Sequence, residues 1–134
     1  MPKLSCVLLV DDDQTTNYLS QLLLKRLDVA EKVVVALNGK EALELLDEHY
    51  PGTCVERPML ILLDVKMPVM DGFAFLQAFE QLDLPEKESI AVVMLTTSLH
   101  PQDVERVKQL NIAGYLNKPL TEAKIRDILA GNFN

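Results

Sequence analysis

Along the chain, short runs of consecutive apolar residues alternate with longer stretches in which apolar residues recur every three or four positions. The short runs are Cys6–Val10, Lys32–Ala36, Met59–Leu63, Ile90–Leu95 and Ile112–Leu116. Several are unbroken and rich in Val, Ile and Leu, the pattern of strands covered on both faces. Leu19, Leu22, Leu23 and Leu27 mark one apolar helix face, and Ala42, Leu43 and Leu46 a second. Phe75, Leu76, Phe79 and Leu82 mark a third. Val104, Val107 and Leu110 mark a fourth, with Pro101 at a first helical position. Ile125, Ile128 and Leu129 mark the fifth, with Thr121 as its N-cap. Five strand–helix units with short links predict an α/β sandwich: one parallel sheet, helices on both faces, right-handed crossovers. The longest connection, YPGTCVERP at residues 50–58, reads as an irregular surface loop. With no repeat or linker, residues 1–134 are expected to form one domain without an effector domain.

Composition narrows the function more than the fold. A hydrophobic content of 49% excludes wholesale disorder, and a net charge of −7 argues against a nucleic-acid-binding surface. Neither excludes a divalent cation. The two cysteines, Cys6 and Cys54, are too few for a disulfide scaffold, and Cys6 reads as a reduced thiol in or near the core. No apolar stretch is long enough to span a membrane, so a soluble cytoplasmic protein is expected. His49 reads as a surface residue at a helix end and His100 as a solvated or capping residue in a loop.

The polar residues fall where a parallel sheet binds ligands, just beyond the carboxyl ends of its strands. The first strand is followed by Asp11, Asp12 and Asp13, the third by Asp64, the fourth by Thr96, Thr97 and Ser98, and the fifth by Lys118. Singly, each has an ordinary use as a cap, a strand terminator or a solvated charge. Jointly they aim carboxylates, hydroxyls and an ammonium at one sheet edge. Crowded carboxylates repel and resist desolvation unless a cation holds them. Mg²⁺ takes one or two protein carboxylates and leaves positions for water or phosphate. Asp12 and Asp64, with Asp11 through water, can supply them. A hydroxyl and an ammonium beside that ion suit phosphoryl oxygens, so the pattern points to phosphoryl chemistry on a carboxylate.

The motifs VLLVDDD, LILLDVKMPVMDG, VVMLTTS and GYLNKP follow in that order, and with them the chain resembles the receiver domain of two-component response regulators along nearly its whole length. The resemblance implies a flavodoxin-like (βα)5 fold with strand order 2-1-3-4-5. It implies that Asp64 accepts a phosphoryl group from a phosphohistidine on a sensor kinase or histidine phosphotransfer protein. Asp12 is then the direct Mg²⁺ ligand, Asp11 acts through water, and the backbone carbonyl of Lys66 completes the set. Thr96 binds a phosphoryl oxygen, Lys118 neutralises it, and Tyr115 swings inward with Thr96 as a switch. The Lys118–Pro119 bond is expected to be cis. Pro68 sets the turn after the acceptor, Asp71 caps the next helix, and Gly72 permits tight backbone. Asp13 has no assigned family role and reads as a cap or surface charge. The resemblance implies no enzyme beyond self-phosphorylation and self-dephosphorylation. It also implies a protein target or onward relay, and a monomer or phosphorylation-dependent dimer. Thr97, bulkier than the Ala or Gly often found there, is expected to restrict access to the site.

Rival readings stay open on the sequence. VLLVDDDQT also fits the opening of haloacid-dehalogenase-like phosphatases, with Asp11 as nucleophile, Asp13 as general acid and Thr15 behind them. Against it, only Glu122 and Asp127 follow the lysine, on the last helix, and no cap domain is expected. A pseudo-receiver would use the fold as an unphosphorylated interaction module. A flavin protein fits less well, because an acidic first loop repels a flavin phosphate.

Overall fold

The computed structural model describes residues 3–47, 58–84, 87–96, 105–107, 109, 110 and 112–132. Five strands, β1 (Leu4–Val10), β2 (Ala30–Ala36), β3 (Met59–Asp64), β4 (Ile90–Thr96) and β5 (Gly114–Asn117), form one sheet. All pairings are parallel and the order is β2-β1-β3-β4-β5. The helices are α1 (Gln14–Leu27), α2 (Gly39–Leu46), α3 (Gly72–Gln81) and α4 (Glu122–Asn132), with a further helical segment at 105–107. This is the predicted architecture.

Side chains alternate across the sheet and make two cores. Leu8, Val10, Ile61, Leu63, Val92 and Met94 face Ala42 and Leu46 of α2 and Phe75 and Phe79 of α3. Val7, Leu9, Leu60, Leu62, Val93 and Leu95 face Leu24 of α1 and Ile125 and Leu129 of α4. Each such side chain, fully buried, stabilises the fold by roughly 1.5–3 kcal/mol. Burial on both faces explains why the central strands read as unbroken apolar runs. β2, at the sheet's edge, is only half-buried and exposes Glu31 and Lys32.

Three expectations need correction. The inward face of α1 is Asn17, Ser20 and Leu24, with Leu23 and Leu27 half-buried, while Leu19 and Leu22 are 58% and 48% exposed. Two polar residues occupy the buried face at its first turns, so hydrophobicity alone aims the helix wrongly. β5 starts two residues later than predicted. Its ladder with β4 opens at Val93↔Gly114, and Ile112 and Ala113 lie in the turn before it, where the Ala113 N–H donates to Val92 O. Cys6 is buried and disulfide-bonded rather than reduced, a pairing that a residue's place in an apolar run does not disclose.

Val107 is buried and Leu110 half-buried, as the fourth apolar stripe requires. Pro101, Val104, His49, His100, Cys54, Thr97, Ser98 and most of the 50–58 loop lie outside the described residues.

Candidate functional site

Strand register assembles the site. Val10 pairs with Leu63, Asp64 with Leu95, and Thr96 with Asn117. Asp11, Asp64, Thr96 and Lys118 therefore emerge side by side across four neighbouring strands, at the spacing of about 4.8 Å that separates strands in any sheet. The Lys118 N–H donates to Thr96 O at 2.7 Å, which carries the β4–β5 alignment one residue past the strands. The Lys118–Pro119 bond is cis, as expected.

These residues line one pocket of about 270 Å³, with Asp12, Asp13 and Lys66 at its walls. Asp11, Asp12 and Asp64 each bring a carboxylate oxygen within 4.8 Å of the other two, the separation that one cation can bridge. Asp11 is buried, Asp64 half-buried and Asp12 exposed. Lys118 Nζ lies 2.5 Å from Asp11 Oδ2 and 3.4 Å from Asp64 Oδ1. Burial, and then the charge of Asp11, push the Asp64 carboxyl above its ordinary value despite Lys118. Burial works to lower the Lys118 ammonium, but its hydrogen bond to Asp11 and the charges of Asp64 and Asp11 outweigh burial and raise it. The pocket thus holds more negative charge than one ammonium relieves. A hard dication with oxygen ligands fits it.

The acidic loop is held by its own backbone. The Asp11 N–H donates to Ala36 O at 3.1 Å, and the Asp13 N–H to Asp11 Oδ1 at 2.9 Å. Asp13 is the N-cap of α1: its Oδ1 accepts from the N–H groups of Thr15 at 2.9 Å and Thr16 at 3.3 Å. The hydrogen bonds from Thr16 lead in lowering its pKa. A carboxyl so committed is a poor general acid, which removes the role a dehalogenase-like phosphatase would give it.

The loop after Asp64 is equally fixed. Met70 N–H donates to Pro68 O at 2.7 Å across Val69, whose φ of 68° is left-handed. Asp71 caps α3 by accepting from Ala74 N–H at 2.8 Å. Gly72 N–H donates to Val65 O, and a Cβ on Gly72 would fall 2.5 Å from Asp64 O. On the far side of the pocket, Thr121 Oγ1 accepts from Lys124 N–H at 3.3 Å, the cap expected for the last helix. Lys124 Nζ returns to Asn117 O at 2.7 Å and Pro119 O at 3.0 Å, clamping the backbone on both sides of Lys118. Tyr115 on β5 is exposed and does not line the pocket. Asn17 and Lys124 stand outside the motifs that mark the site in the sequence. A polar residue one turn into a helix, beside an acidic cluster, was the signal available for Asn17.

Residues 7–130 match the response regulator receiver domain family, and the chain belongs to it. It is 33% identical over 112 residues to the response regulator Rcp1 of Synechocystis sp., covering 84% of this chain and 75% of that one. It is 26% identical over 125 residues to the chemotaxis protein CheY of Halobacterium salinarum, covering 92% of each. Among solved structures, a two-component response regulator from Cytophaga hutchinsonii superposes with a TM-score of 0.83 at 28% identity, covering 96% of both chains. The protein is therefore a receiver domain of the response regulators, a regulatory module of two-component signalling, and phosphoryl acceptance is the family's property. Receiver domains bind Mg²⁺ at an acidic pocket, are phosphorylated by histidine kinases and act through partners. No helix among the described residues is long and apolar enough to cross a membrane.

Proposed function

We propose that Asp64 is the phosphoacceptor and that Asp11, Asp12, Asp64 and the backbone carbonyl of Lys66 hold Mg²⁺. The observation that carries this is the meeting of three carboxylates within 4.8 Å beside a lysine shared by two of them. When bound, Mg²⁺ supplies positive charge to the phosphoryl oxygens. An ionised Asp64 oxygen attacks the phosphorus of a phosphohistidine in line, the P–N bond breaks, and the imidazole nitrogen of the donor leaves with the electron pair. The Lys118 ammonium offsets the charge that Asp64 gains, and the Thr96 hydroxyl binds a phosphoryl oxygen. Water hydrolyses the acyl phosphate and resets the site.

The donor is a sensor histidine kinase or a histidine phosphotransfer protein in the cytoplasm. Output is the binding of a protein target or relay of the phosphoryl group, as a monomer or a phosphorylation-dependent dimer. The face carrying Tyr115 and α4 is the one whose two-state equilibrium phosphorylation biases.

The test is incorporation of labelled phosphoryl from acetyl phosphate. Wild type labels only with Mg²⁺, Asp64→Asn does not label, and Asp11→Asn labels weakly but on Asp64. Label on Asp11, or turnover of a phosphomonoester, would support the phosphatase reading. Failure to bind beryllofluoride with Mg²⁺ would support a pseudo-receiver.

A further inference from the structure

We propose that Asn17 is a positioning residue that holds the acidic loop ready for the cation. The inference rests on the Mg²⁺ reading above. Asn17 is 5% exposed, on the inward face of α1, and its Nδ2 donates to the backbone O of Asp11 at 2.8 Å. A carbonyl only accepts, so the amide nitrogen must be the atom facing it. Asparagine is a weaker helix former than alanine or leucine, and its buried amide is costly without a partner. Leucine there would suit both the helix and the core, so packing does not explain the residue. The carbonyl it meets does.

That carbonyl belongs to the peptide joining Asp11 to Asp12, so its plane sets the direction in which both carboxylates leave the backbone. Three further contacts complete the hold on Asp11: its N–H to Ala36 O, its Oδ1 to the Asp13 N–H, and its Oδ2 to Lys118. Asn17 alone among these fixes the carbonyl side. Without it the peptide can rotate toward solvent, and Asp12, exposed and with no hydrogen bond of its own among those described above, loses its aim. Partners that orient metal ligands at second hand commonly govern affinity by tenfold or more.

The experiment compares wild type with Asn17→Leu and Asn17→Ala, the second guarding against misfolding of the first. Calorimetric Mg²⁺ titration, metal-free thermal unfolding and amide exchange at Asp13 are measured on each. The expected result is Mg²⁺ binding about tenfold weaker and faster exchange at Asp13, with the metal-free fold retained. Acetyl phosphate labelling should need more Mg²⁺ yet reach the wild-type rate at saturation. Mg²⁺ binding within about twofold of wild type, or unchanged Asp13 exchange, overturns the proposal and leaves Asn17 a packing residue. If wild type itself binds no Mg²⁺, the metal reading falls, and this inference falls with it.

Discussion

The ammonium of Lys118 lies 2.5 Å from Asp11 Oδ2 and 3.4 Å from Asp64 Oδ1, tying the residue after β1 and the end of β3 to the residue after β5. Both carboxylates and the lysine side chain are at most 12% exposed, so water screens the cluster poorly. Removing the shared cation leaves two buried acids facing each other. Lys118→Met should lower the metal-free unfolding free energy by about 2–3 kcal/mol in urea titrations, and saturating Mg²⁺ should restore much of it. Equal stability of the two proteins without metal would show that the acids do not depend on this pair.

The raised pKa of Asp64 gives stability a pH dependence of known sign. Burial and the Asp11 charge make the folded state hold the Asp64 proton more tightly than the unfolded chain, whose value lies near 3.8. The folded state therefore loses stability as pH rises from about that value through the raised one. In EDTA, Asp64→Asn should gain on wild type in melting temperature as pH rises above about 4. Saturating Mg²⁺ should reverse the order at neutral pH, because only wild type keeps its acceptor carboxylate for the metal. A wild-type advantage in EDTA across the whole range would contradict the repulsion inferred at this site.

Much of this was legible in the chain, and the failures have a common physical origin. The unbroken runs at 7–10 and 59–63 name central strands because both faces are covered, and the carboxylates just past them locate the site. Register was not legible. Nothing local says that Val10 pairs with Leu63, yet that pairing puts Asp11 beside Asp64. The buried face of α1 departs from the apolar stripe because a helix that supports a polar site buries polar residues, and Asn17 and Ser20 look like solvent positions. Leu19 and Leu22, which look like core, point outward. Departures from binary patterning cluster where a protein does something besides fold.

That outward face leads to a prediction about the donor. Tyr18, Leu19 and Leu22 are all exposed on α1, and Leu19 also borders a largely apolar groove of about 310 Å³ whose other walls include Lys118 and Pro119. Lys118 is common to the groove and the acidic pocket, so a protein delivering phosphate to Asp64 would cover this face. Leu19→Glu and Leu22→Glu should slow phosphoryl transfer from a phosphohistidine protein at least tenfold, since each places a charge in a desolvated contact. Labelling by acetyl phosphate, which needs no docking, should stay within about twofold. Equal losses with both donors would mean that the substitutions damage the pocket itself.

The glycines separate backbone constraint from side-chain crowding. A Cβ at Gly72 would meet Asp64 O at 2.5 Å and Val65 Cα at 3.1 Å, both backbone atoms that move only with the acceptor strand. At Gly39 the nearest atoms are Met70 Cγ at 2.8 Å and Sδ at 2.9 Å, on a flexible side chain that can turn away, although Met70 O stands at 3.0 Å. At Gly131, in α4, nothing lies within 4 Å. Gly72→Ala should cost about 2–3 kcal/mol in urea unfolding and weaken Mg²⁺ binding, because relieving the clash displaces Asp64. Gly39→Ala should cost less and leave Mg²⁺ affinity close to wild type. Gly131→Ala should change stability by no more than about 0.5 kcal/mol, because the residue meets no neighbour and stands in the last turn of its helix. The ranking is the discriminating result. If Gly72→Ala binds Mg²⁺ as wild type does, the turn from Val65 to Gly72 is not what fixes the acceptor carboxylate.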